Sequence, residues 1–224
     1  MPRFTVLQDA SQFDTMVAMN STEHSTGMDL PASPIQNLSV VNLRNAGEVA
    51  LQEFFEENPL YFLSTHGIPA QAGEAHEEIY SELPAGWAFN HKYVFGYEDS
   101  NGKLAGMGNV VSDLLAKGVW HVGTFIVATD RHGTGDAQAL YASVEEWCRH
   151  CGARWMRLGV VAGNARAEAF WERSGYVQVA RREGIVMGQR TNAIRVMAKP
   201  LLGQPISEYY SLVERDRPAP TSAV

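Results

Sequence analysis

The stretch ATDRHGTGDAQALY, residues 128–141, places two glycines between a run of apolar residues and a helical pattern. Gly133 and Gly135 follow the apolar segment at 125–127 and precede an amphipathic pattern over 135–151. A glycine loop in this position exposes backbone N–H groups at the positive end of a helix dipole. The stretch therefore predicts a strand, an anion-binding loop and a helix, in that order.

Two common kinds of phosphate loop do not fit this stretch. A P-loop requires Gly-Lys-Ser/Thr, whereas Gly135 is followed by Asp136. A dinucleotide-binding loop requires a third glycine, whereas position 138 is Gln138. The loop alone leaves its phosphate ligand open, so the ligand has to be read from the surrounding sequence.

A second motif, LGVVAGNARAEAFWERSGY at 158–176, follows the loop after a helix and a strand. Together the two motifs resemble the GNAT superfamily of N-acetyltransferases. The family's pyrophosphate motif, Gln/Arg-x-x-Gly-x-Gly/Ala, aligns with residues 132–137, with His132 where Gln or Arg is usual. The family's second signature aligns with Asn164, Ala167, the aromatic pair Phe170–Trp171 and the pair Gly175–Tyr176.

This resemblance implies a fold and a co-substrate. The fold is α/β (α+β): a GNAT-type mixed, mostly antiparallel sheet, flanked by helices and splayed open between its fourth and fifth strands. Acetyl-CoA would lie in that cleft, with its pyrophosphate on the loop and its pantetheine arm along the fourth strand. No metal is expected. The residues assigned to coenzyme A are Phe125, Ile126, Val127, His132, Gly133, Thr134, Gly135, Asp136, Ala137, Asn164 and Trp171.

Charged residues near the loop have two interpretations. Arg131, His132 and Arg166 are candidates to pair with coenzyme A phosphates, or else are solvated surface charges. An aspartate beside a pyrophosphate is unusual. We expect Asp136 to turn its side chain outward and its N–H inward, since an acidic residue is favourable in the first turn of a helix.

Acetyl transfer from a thioester to an amine requires a neutral amine, because free amines have pKa values near ~10. We predict His121, in the strand VWHVGTFIV, as the general base. Strand alternation places it on the same face as Gly123, Phe125 and Val127. The competing interpretation is a histidine hydrogen-bonded on the sheet surface, and Asp113 is a second candidate base.

The proton donor for the departing thiolate is less clear from the residues. Members of the family often place a tyrosine in the short helix after the asparagine, where this chain has Trp171. An indole N–H donates a hydrogen bond but has no useful acidity. Either the thiolate leaves unprotonated, or Tyr176 or Tyr141 supplies the proton. Trp171 and Phe170 are expected to pack, with Trp171 against the pantetheine.

We expect the chain to divide into a loosely ordered N-terminal arm at 1–34, a domain at 35–202 that resembles the acetyltransferases, and a C-terminal extension at 203–224 that adds a helix and then frays. Two strands after residue 176 close the domain as a pair. The earlier strands are predicted at 38–43, 92–98, 103–111, 119–127 and 155–161, and the helices at 45–63, broken by Pro59, 72–83, 135–151 and 164–175.

Composition excludes several classes of protein. The chain has 224 residues and a formal net charge of −7, which argues against binding nucleic acid through its phosphates. It has no apolar run long enough to span a membrane and no signal-peptide pattern at its start, so we expect a cytoplasmic protein. Cys148 and Cys151 fall inside a helical pattern with no second cysteine pair, which favours ordinary packing over a zinc or redox site.

The leading interpretation is an acetyl-CoA-dependent N-acetyltransferase that acts on the primary amine of a small molecule by direct attack on the thioester. A protein N-acetyltransferase is the second interpretation. A non-catalytic acetyl-CoA-binding module is the third, because Trp171 replaces the usual tyrosine. The aromatic and acidic residues of FFEENPLYFL, at 54–63, suit a cationic amine, or else are core and solvent-facing residues. The assembly, a homodimer or otherwise, stays open.

Overall fold

A computed structural model describes residues 30–218, so most of the predicted N-terminal arm lies outside the described residues. Seven strands form one sheet in the order β1-β2-β3-β4-β5-β7-β6. All neighbouring strands pair antiparallel except β4 and β5. The predicted mixed, mostly antiparallel sheet is therefore confirmed. The strands are β1 Ser39–Asn42, β2 His91–Glu98, β3 Leu104–Ser112, β4 Val119–Val127, β5 Trp155–Val161, β6 Val177–Met187 and β7 Arg190–Pro200.

Helices flank both faces of this sheet. Pro59 ends the first predicted helix and lies at the N-terminus of the second, because proline cannot donate the backbone hydrogen bond of a helix interior. None of the helices at 30–218 is long and apolar enough to cross a bilayer. The helices are α1 Glu48–Glu57, α2 Leu60–Thr65, α3 Glu74–Tyr80, α4 Asp136–His150, α5 Ala165–Arg173 and α6 Ile206–Leu212, with short 3-10 helices at Thr129–Arg131 and Glu214–Asp216.

Each face of the sheet has its own apolar core. Helices α4 and α5 cover one face, where the buried stripe of α4 packs against β2, β4 and β5. Helices α1 to α3 cover part of the opposite face, where Phe54, Phe55 and Phe62 are buried. The glutamates of that N-terminal segment, Glu53, Glu56 and Glu57, are exposed. These aromatic residues are therefore core residues, apart from Tyr61, which lines the cavity described below.

The two cysteines lie at the C-terminal end of α4. Cys148 is fully buried in the core and Cys151 is partly buried. Burial raises the pKa of the Cys148 thiol well above its ordinary value. Within the described part of the chain, no group of three or more His, Cys, Asp or Glu side chains is arranged to hold a metal ion. Packing accounts for both cysteines.

The sheet splits between β4 and β5. The two strands pair only from Val119–Val122 of β4 to Trp155–Leu158 of β5, and the remainder of each strand has no partner across the gap. Parallel strands need an intervening connection, and here α4 supplies it. The predicted splay between the fourth and fifth strands is therefore observed.

A β-bulge in β4 corrects one sequence-based expectation. Asn109 of β3 lies opposite Thr124, but the next pair is Val110 with Val122, so Gly123 is an extra residue with no partner on β3. A bulge of this kind reverses the alternation of side chains along a strand. As a result, Phe125 and Val127 lie on the α4 face of the sheet with Val122. His121 lies on the opposite face with Thr124, so the expectation that it shares a face with Phe125 and Val127 is wrong.

The C-terminal extension packs back on the domain as far as residue 216. Tyr209 of α6 is fully buried, with its ring 5.4 Å from that of Trp155. Asp216 is also fully buried. At the other end of the described chain, Leu30 and Ile35 pack against the core beneath α4. Residues on both sides of the expected 35–202 domain thus pack against it, and the division of the chain stays a prediction.

Candidate active site

A cavity of about 300 Å³ opens where β4 and β5 diverge. Its walls come from both faces of the sheet, because the split joins them. The α5 side contributes apolar groups, and the opposite side contributes most of the charged and polar groups. The wall includes Tyr61, Glu78, Trp87, Asn109, His121, Gly123, Phe125, Arg157, Asn164, Trp171, Arg182 and Arg215.

The glycine loop presents unpaired backbone N–H groups at the start of α4. Gly133 has φ +85° and Gly135 has φ +95°, which is the left-handed region that favours glycine. A Cβ added at either position would meet no atom within 4 Å, so the loop surface is open. In residues 30–218, the backbone N–H groups without an acceptor include those of Gly133, Thr134, Gly135 and Ala137. This arrangement suits a polyanion.

The side chains of the loop are largely occupied with one another. The Nε2 of His132 donates to the carbonyl oxygen of Val127 over 2.9 Å, so this ring nitrogen is occupied within the protein. The Nη1 of Arg131 donates to Oδ2 of Asp136 over 2.8 Å. The carboxylate that looked awkward beside a pyrophosphate is therefore neutralised locally. Arg166 is exposed on the surface of α5. The loop therefore offers an anion its backbone N–H groups more than these side chains.

Asn164 and Trp171 lie in the cavity wall, and their role in cofactor binding stays a prediction. The Oδ1 of Asn164 also caps α5 by accepting from the backbone N–H of Ala167 over 3.2 Å. Its Nδ2 donates to Oγ of Ser64 over 3.3 Å, which ties α5 to α2. The Trp171 ring packs edge-on against Tyr141 with centroids 4.9 Å apart. Trp171 therefore forms part of the wall between the cavity and the core.

Tyr176 does not lie in this wall. Its hydroxyl is hydrogen-bonded to the hydroxyl of Tyr141, and both rings are buried in the α4-side core. Burial raises the pKa of both hydroxyls well above the ordinary value. The two tyrosines therefore contact each other in the core behind Trp171, and neither lines the cavity.

His121 does lie in the cavity wall, beside an arginine. The Nη1 of Arg157 lies 3.3 Å from Nδ1 of His121. Because a guanidinium can only donate, Nδ1 accepts and the imidazole proton is on Nε2. Burial and the charge of Arg157 lower the pKa of His121 to about 3. His121 is thus a neutral hydrogen-bonding group at neutral pH and a weak base.

Arg157 is held in turn by the C-terminal segment. Its Nε and Nη2 donate to the two carboxylate oxygens of Asp216, over 2.8 and 3.2 Å. Arg182 and the hydroxyl of Tyr209 also donate to Asp216, over 2.9 and 2.7 Å. Burial raises the pKa of Asp216, but hydrogen bonds and charge from Arg157, Tyr209 and Arg182 outweigh it, so the net pKa is below the ordinary value. The buried cluster fixes one end of the cavity.

A carboxylate that the sequence analysis did not single out lies on the same face as His121. Glu78 of α3 accepts from Nδ2 of Asn109 over 2.6 Å and from Oγ1 of Thr124 over 3.1 Å. Because a carboxylate only accepts, the amide nitrogen of Asn109 must face Glu78. The amide oxygen then has no partner in the described structure, although it is buried. An unpaired buried acceptor is costly and marks a place for a donor from a ligand.

These polar groups lie next to the bulge. A Cβ added at Gly123 would lie 3.4 Å from Cγ and Nδ2 of Asn109. Of the two residues, Asn109 could have been found from the sequence, since it interrupts the otherwise apolar strand KLAGMGNVV. Glu78 could not have been found in this way, because α3 carries several glutamates. Only the fold distinguishes Glu78, which is partly buried, from the exposed Glu77.

Comparisons with known proteins agree with this geometry. The family model described as the acetyltransferase (GNAT) family matches residues 51–176, which is more than half of the chain. The match includes the glycine loop, the strands on both sides of the split and α5. No curated protein matches the chain.

Solved structures share the fold at low sequence identity. The chain covers 99% of the ribosomal-protein-S18-alanine N-acetyltransferase from Escherichia coli, with 84% of its own length aligned, 15% identity and a TM-score of 0.53. It covers 96% of spermidine N-acetyltransferase from Vibrio cholerae in complex with CoA and spermine, with 74% of its own length, 17% identity and a TM-score of 0.56. The match to nourseothricin acetyltransferase spans 65% of that chain and 49% of this one, at 24% identity and a TM-score of 0.43, which is too low to support the fold.

Proposed function

Because the chain belongs to the acetyltransferase (GNAT) family, whose members are N-acetyltransferases, we propose that it transfers the acetyl group of acetyl-CoA to the primary amine of a small molecule. One observation carries the choice of an amine. The Glu78 carboxylate and the unpaired amide oxygen of Asn109 lie together beside Gly123, at the split between β4 and β5. Two hydrogen-bond acceptors, one of them charged, suit an ammonium group or an amine.

The described residues fit acetyl-CoA as the acyl donor. The unpaired N–H groups of Gly133, Thr134, Gly135 and Ala137 would hold the pyrophosphate, and the diverging edge of β4 would hold the pantetheine arm. When bound, acetyl-CoA supplies the thioester that the amine attacks directly. The fit is backbone-based, which supports assigning the loop to a phosphate ligand although His132 replaces the family's usual Gln or Arg.

We assign the role of general base to Glu78. A free amine with a pKa near ~10 arrives as an ammonium ion at neutral pH, and a nearby carboxylate both attracts that cation and accepts its proton, directly or through water. Asn109 and Thr124 hold the carboxylate in place with one hydrogen bond to each oxygen. His121, the base predicted from sequence, is the weaker candidate because its lowered pKa makes it a poor proton acceptor.

Two further steps need no dedicated side chain. Gly123 has no partner on β3, and the pairing of β4 with β5 ends at Val122. We therefore assign the polarisation of the thioester carbonyl to a backbone N–H of β4 near this bulge. A thiol has an ordinary pKa of ~8.5, so a thiolate leaves at modest cost near neutral pH. We therefore propose that the thiolate departs unprotonated, because Tyr176 and Tyr141 are bonded to each other in the core.

The size of the cavity supports a small acceptor over a protein. Its volume of about 300 Å³ is at the lower end of the range of small-molecule sites. On the side away from the glycine loop, the cavity is lined by Trp87, which precedes β2, and by Arg215 of the C-terminal segment. The related structures include enzymes for spermidine and for a ribosomal protein, so the fold alone does not choose between these acceptor classes.

The test is release of free coenzyme A thiol from acetyl-CoA with a panel of polyamines, aromatic amines, amino acids and peptides with free N-termini. We expect release with small amines, and we expect Glu78→Gln to lower kcat/KM by at least ~100-fold without changing the Kd for acetyl-CoA. Glu77→Gln, on the exposed side of the same helix, should behave as wild type. Release with peptides alone would overturn the small-molecule assignment, and full activity of Glu78→Gln would overturn the role of Glu78.

A further inference from the structure

The cavity separates hydrogen-bond acceptors from hydrogen-bond donors. Beside the bulge, Glu78 and the amide oxygen of Asn109 are acceptors. Toward the start of β4 and the C-terminal segment lie His121 and three arginines. Glu82 also lines the cavity, and so does Lys92, whose Nζ donates to the carbonyl oxygen of Ser81. A ligand that satisfies both ends carries an amine at one end and an anionic group at the other.

Arg215 is the arginine at the donor end that lacks an anionic partner. Its guanidinium lies over the ring of Trp87, 4.4 Å from the centroid, and both side chains line the cavity. No hydrogen bond or ion pair to the Arg215 side chain is found within residues 30–218. A cation stacked on an aromatic ring keeps its N–H edge free to bind a carboxylate in a bidentate manner.

The neighbouring charges leave this end of the cavity positive. Arg157 and Arg182 share the single carboxylate of Asp216, whose two oxygens are already taken by these arginines and by Tyr209. Arg215 follows as a third cation. The pKa of Arg215 is lowered by burial and by the charges of Arg157 and Arg182, as expected where positive charge is not fully balanced.

His121 adds a neutral donor at the same end. Because its Nδ1 accepts from Arg157, its proton is on Nε2. The backbone of Arg157 also forms a hydrogen bond with this ring, so the binding of an anionic group rests on Arg215 rather than on His121.

We infer that the acceptor is an amino acid-like molecule whose anionic group is bound by Arg215, at the end of the cavity away from Glu78. This inference rests on the proposed function, since it takes the amine end from it. Thr124, which holds Glu78, and His121 lie opposite Asn109 and Val111 of β3, because the bulge at Gly123 falls between them. Two residues of β3 correspond to roughly 7 Å along an extended strand. That spacing favours several atoms between the amine and the anionic group, as in a linear ω-amino acid, over an α-amino acid.

The test compares 6-aminohexanoate with pentylamine, which has the same amine and chain but no carboxylate. We expect wild type to use 6-aminohexanoate with a kcat/KM about 10- to 100-fold higher, the range for a hydrogen bond to a charged group. Arg215→Gln should remove this preference by raising KM for 6-aminohexanoate, with kcat and the rate for pentylamine unchanged. Arg217→Gln, on the same segment but outside the cavity wall, is the matched control.

The outcomes separate this inference from the function on which it rests. If pentylamine or a polyamine is used as well as 6-aminohexanoate, or if Arg215→Gln keeps the preference, the anion site is wrong and the acetyltransferase assignment stands. If no amine in either panel releases thiol, the small-amine function itself fails. If Arg215→Gln lowers the rate with both amines equally, Arg215 has only a structural role, which also overturns the inference.

Discussion

Arg157 links the sheet to the C-terminal segment: its Nη1 lies 3.3 Å from Nδ1 of His121, while its Nε donates to Oδ2 of Asp216 over 2.8 Å. One buried guanidinium thereby sets the tautomer of a cavity histidine and anchors the segment that carries Arg215. This contact makes residues far apart in the chain part of one site.

Asp216→Ala should destabilise the protein strongly. The substitution leaves Arg157, which is almost fully buried, without its counter-ion, and removing one partner of a buried pair costs about 3–5 kcal/mol. Urea unfolding followed by tryptophan fluorescence measures the change in the free energy of unfolding. Glu214→Ala, whose side chain is exposed, should change it by less than ~0.5 kcal/mol. A loss below ~1 kcal/mol for Asp216→Ala would show that the cluster is not an anchor.

The pH dependence of stability should carry the signature of His121. Its pKa is about 3 in the fold, against about 6.5 in the unfolded chain. Below pH ~6.5 the unfolded state therefore binds the extra proton, and stability falls as the pH is lowered from there toward about 3. His121→Gln, which keeps an acceptor for Arg157, should lose less stability than wild type between pH 6.5 and pH 5, by up to ~2 kcal/mol.

The same variant also tests the catalytic assignment. If Glu78 is the base, His121→Gln should keep the acidic limb of the pH–rate profile where wild type has it. Disappearance of that limb in His121→Gln, with the variant folded, would return the role of base to His121.

Gly135→Asp should abolish tight binding of acetyl-CoA by placing a carboxylate on the anion loop. Gly152 offers a matched control, because it is also exposed, has φ +96° against +95° for Gly135, and has nothing within 4 Å of a built Cβ. Both substitutions should cost about 1–2 kcal/mol of stability through the left-handed backbone. Calorimetric titration should show loss of acetyl-CoA affinity for Gly135→Asp alone. Equal affinity in the two variants would remove the loop from the site.

Asn109→Ala and Thr124→Val should have different effects, although both remove one hydrogen bond to Glu78. Asn109 also offers the unpaired amide oxygen, so Asn109→Ala should raise KM for the amine by ~10-fold or more. Thr124→Val removes a donor alone and should mainly lower kcat, by loosening the carboxylate. Steady-state kinetics with saturating acetyl-CoA separates the two parameters. Unchanged amine KM in Asn109→Ala would contradict the amine-binding role of Asn109.

Much of the fold was predictable from local sequence. Some features depend only on the backbone within a few residues, and the structure has them where the sequence indicates. They are the loop with Gly133 and Gly135, the helix α4 with its apolar stripe, and the start of α5 at Asn164. The splay followed from the resemblance to a family. The sequence did not predict which face of the sheet each β4 side chain lies on. The bulge at Gly123 changes that order, and it arises from the pairing with β3, which the β4 sequence alone does not reveal.

The polar site was less predictable, because it is built from contacts over long sequence distances. Glu78 meets Asn109 across 31 residues, and Arg157 meets Asp216 across 59. Nothing in the pattern of α3 distinguishes Glu78 from its neighbours, and the segment after residue 202 had no apolar period strong enough to predict that it packs. His121 was located correctly in the cavity wall, but its protonation depends on Arg157, a residue of another strand.

The most direct measurement is a crystal structure of the protein with acetyl-CoA and a slowly reacting amine. We predict that the pyrophosphate accepts hydrogen bonds from the N–H groups at 133–137, and that the thioester lies in the split beside Gly123. The amine should lie within hydrogen-bond distance of Glu78 and of the amide oxygen of Asn109. A coenzyme bound away from the glycine loop, or an amine bound without contact to Glu78, would contradict the proposed site.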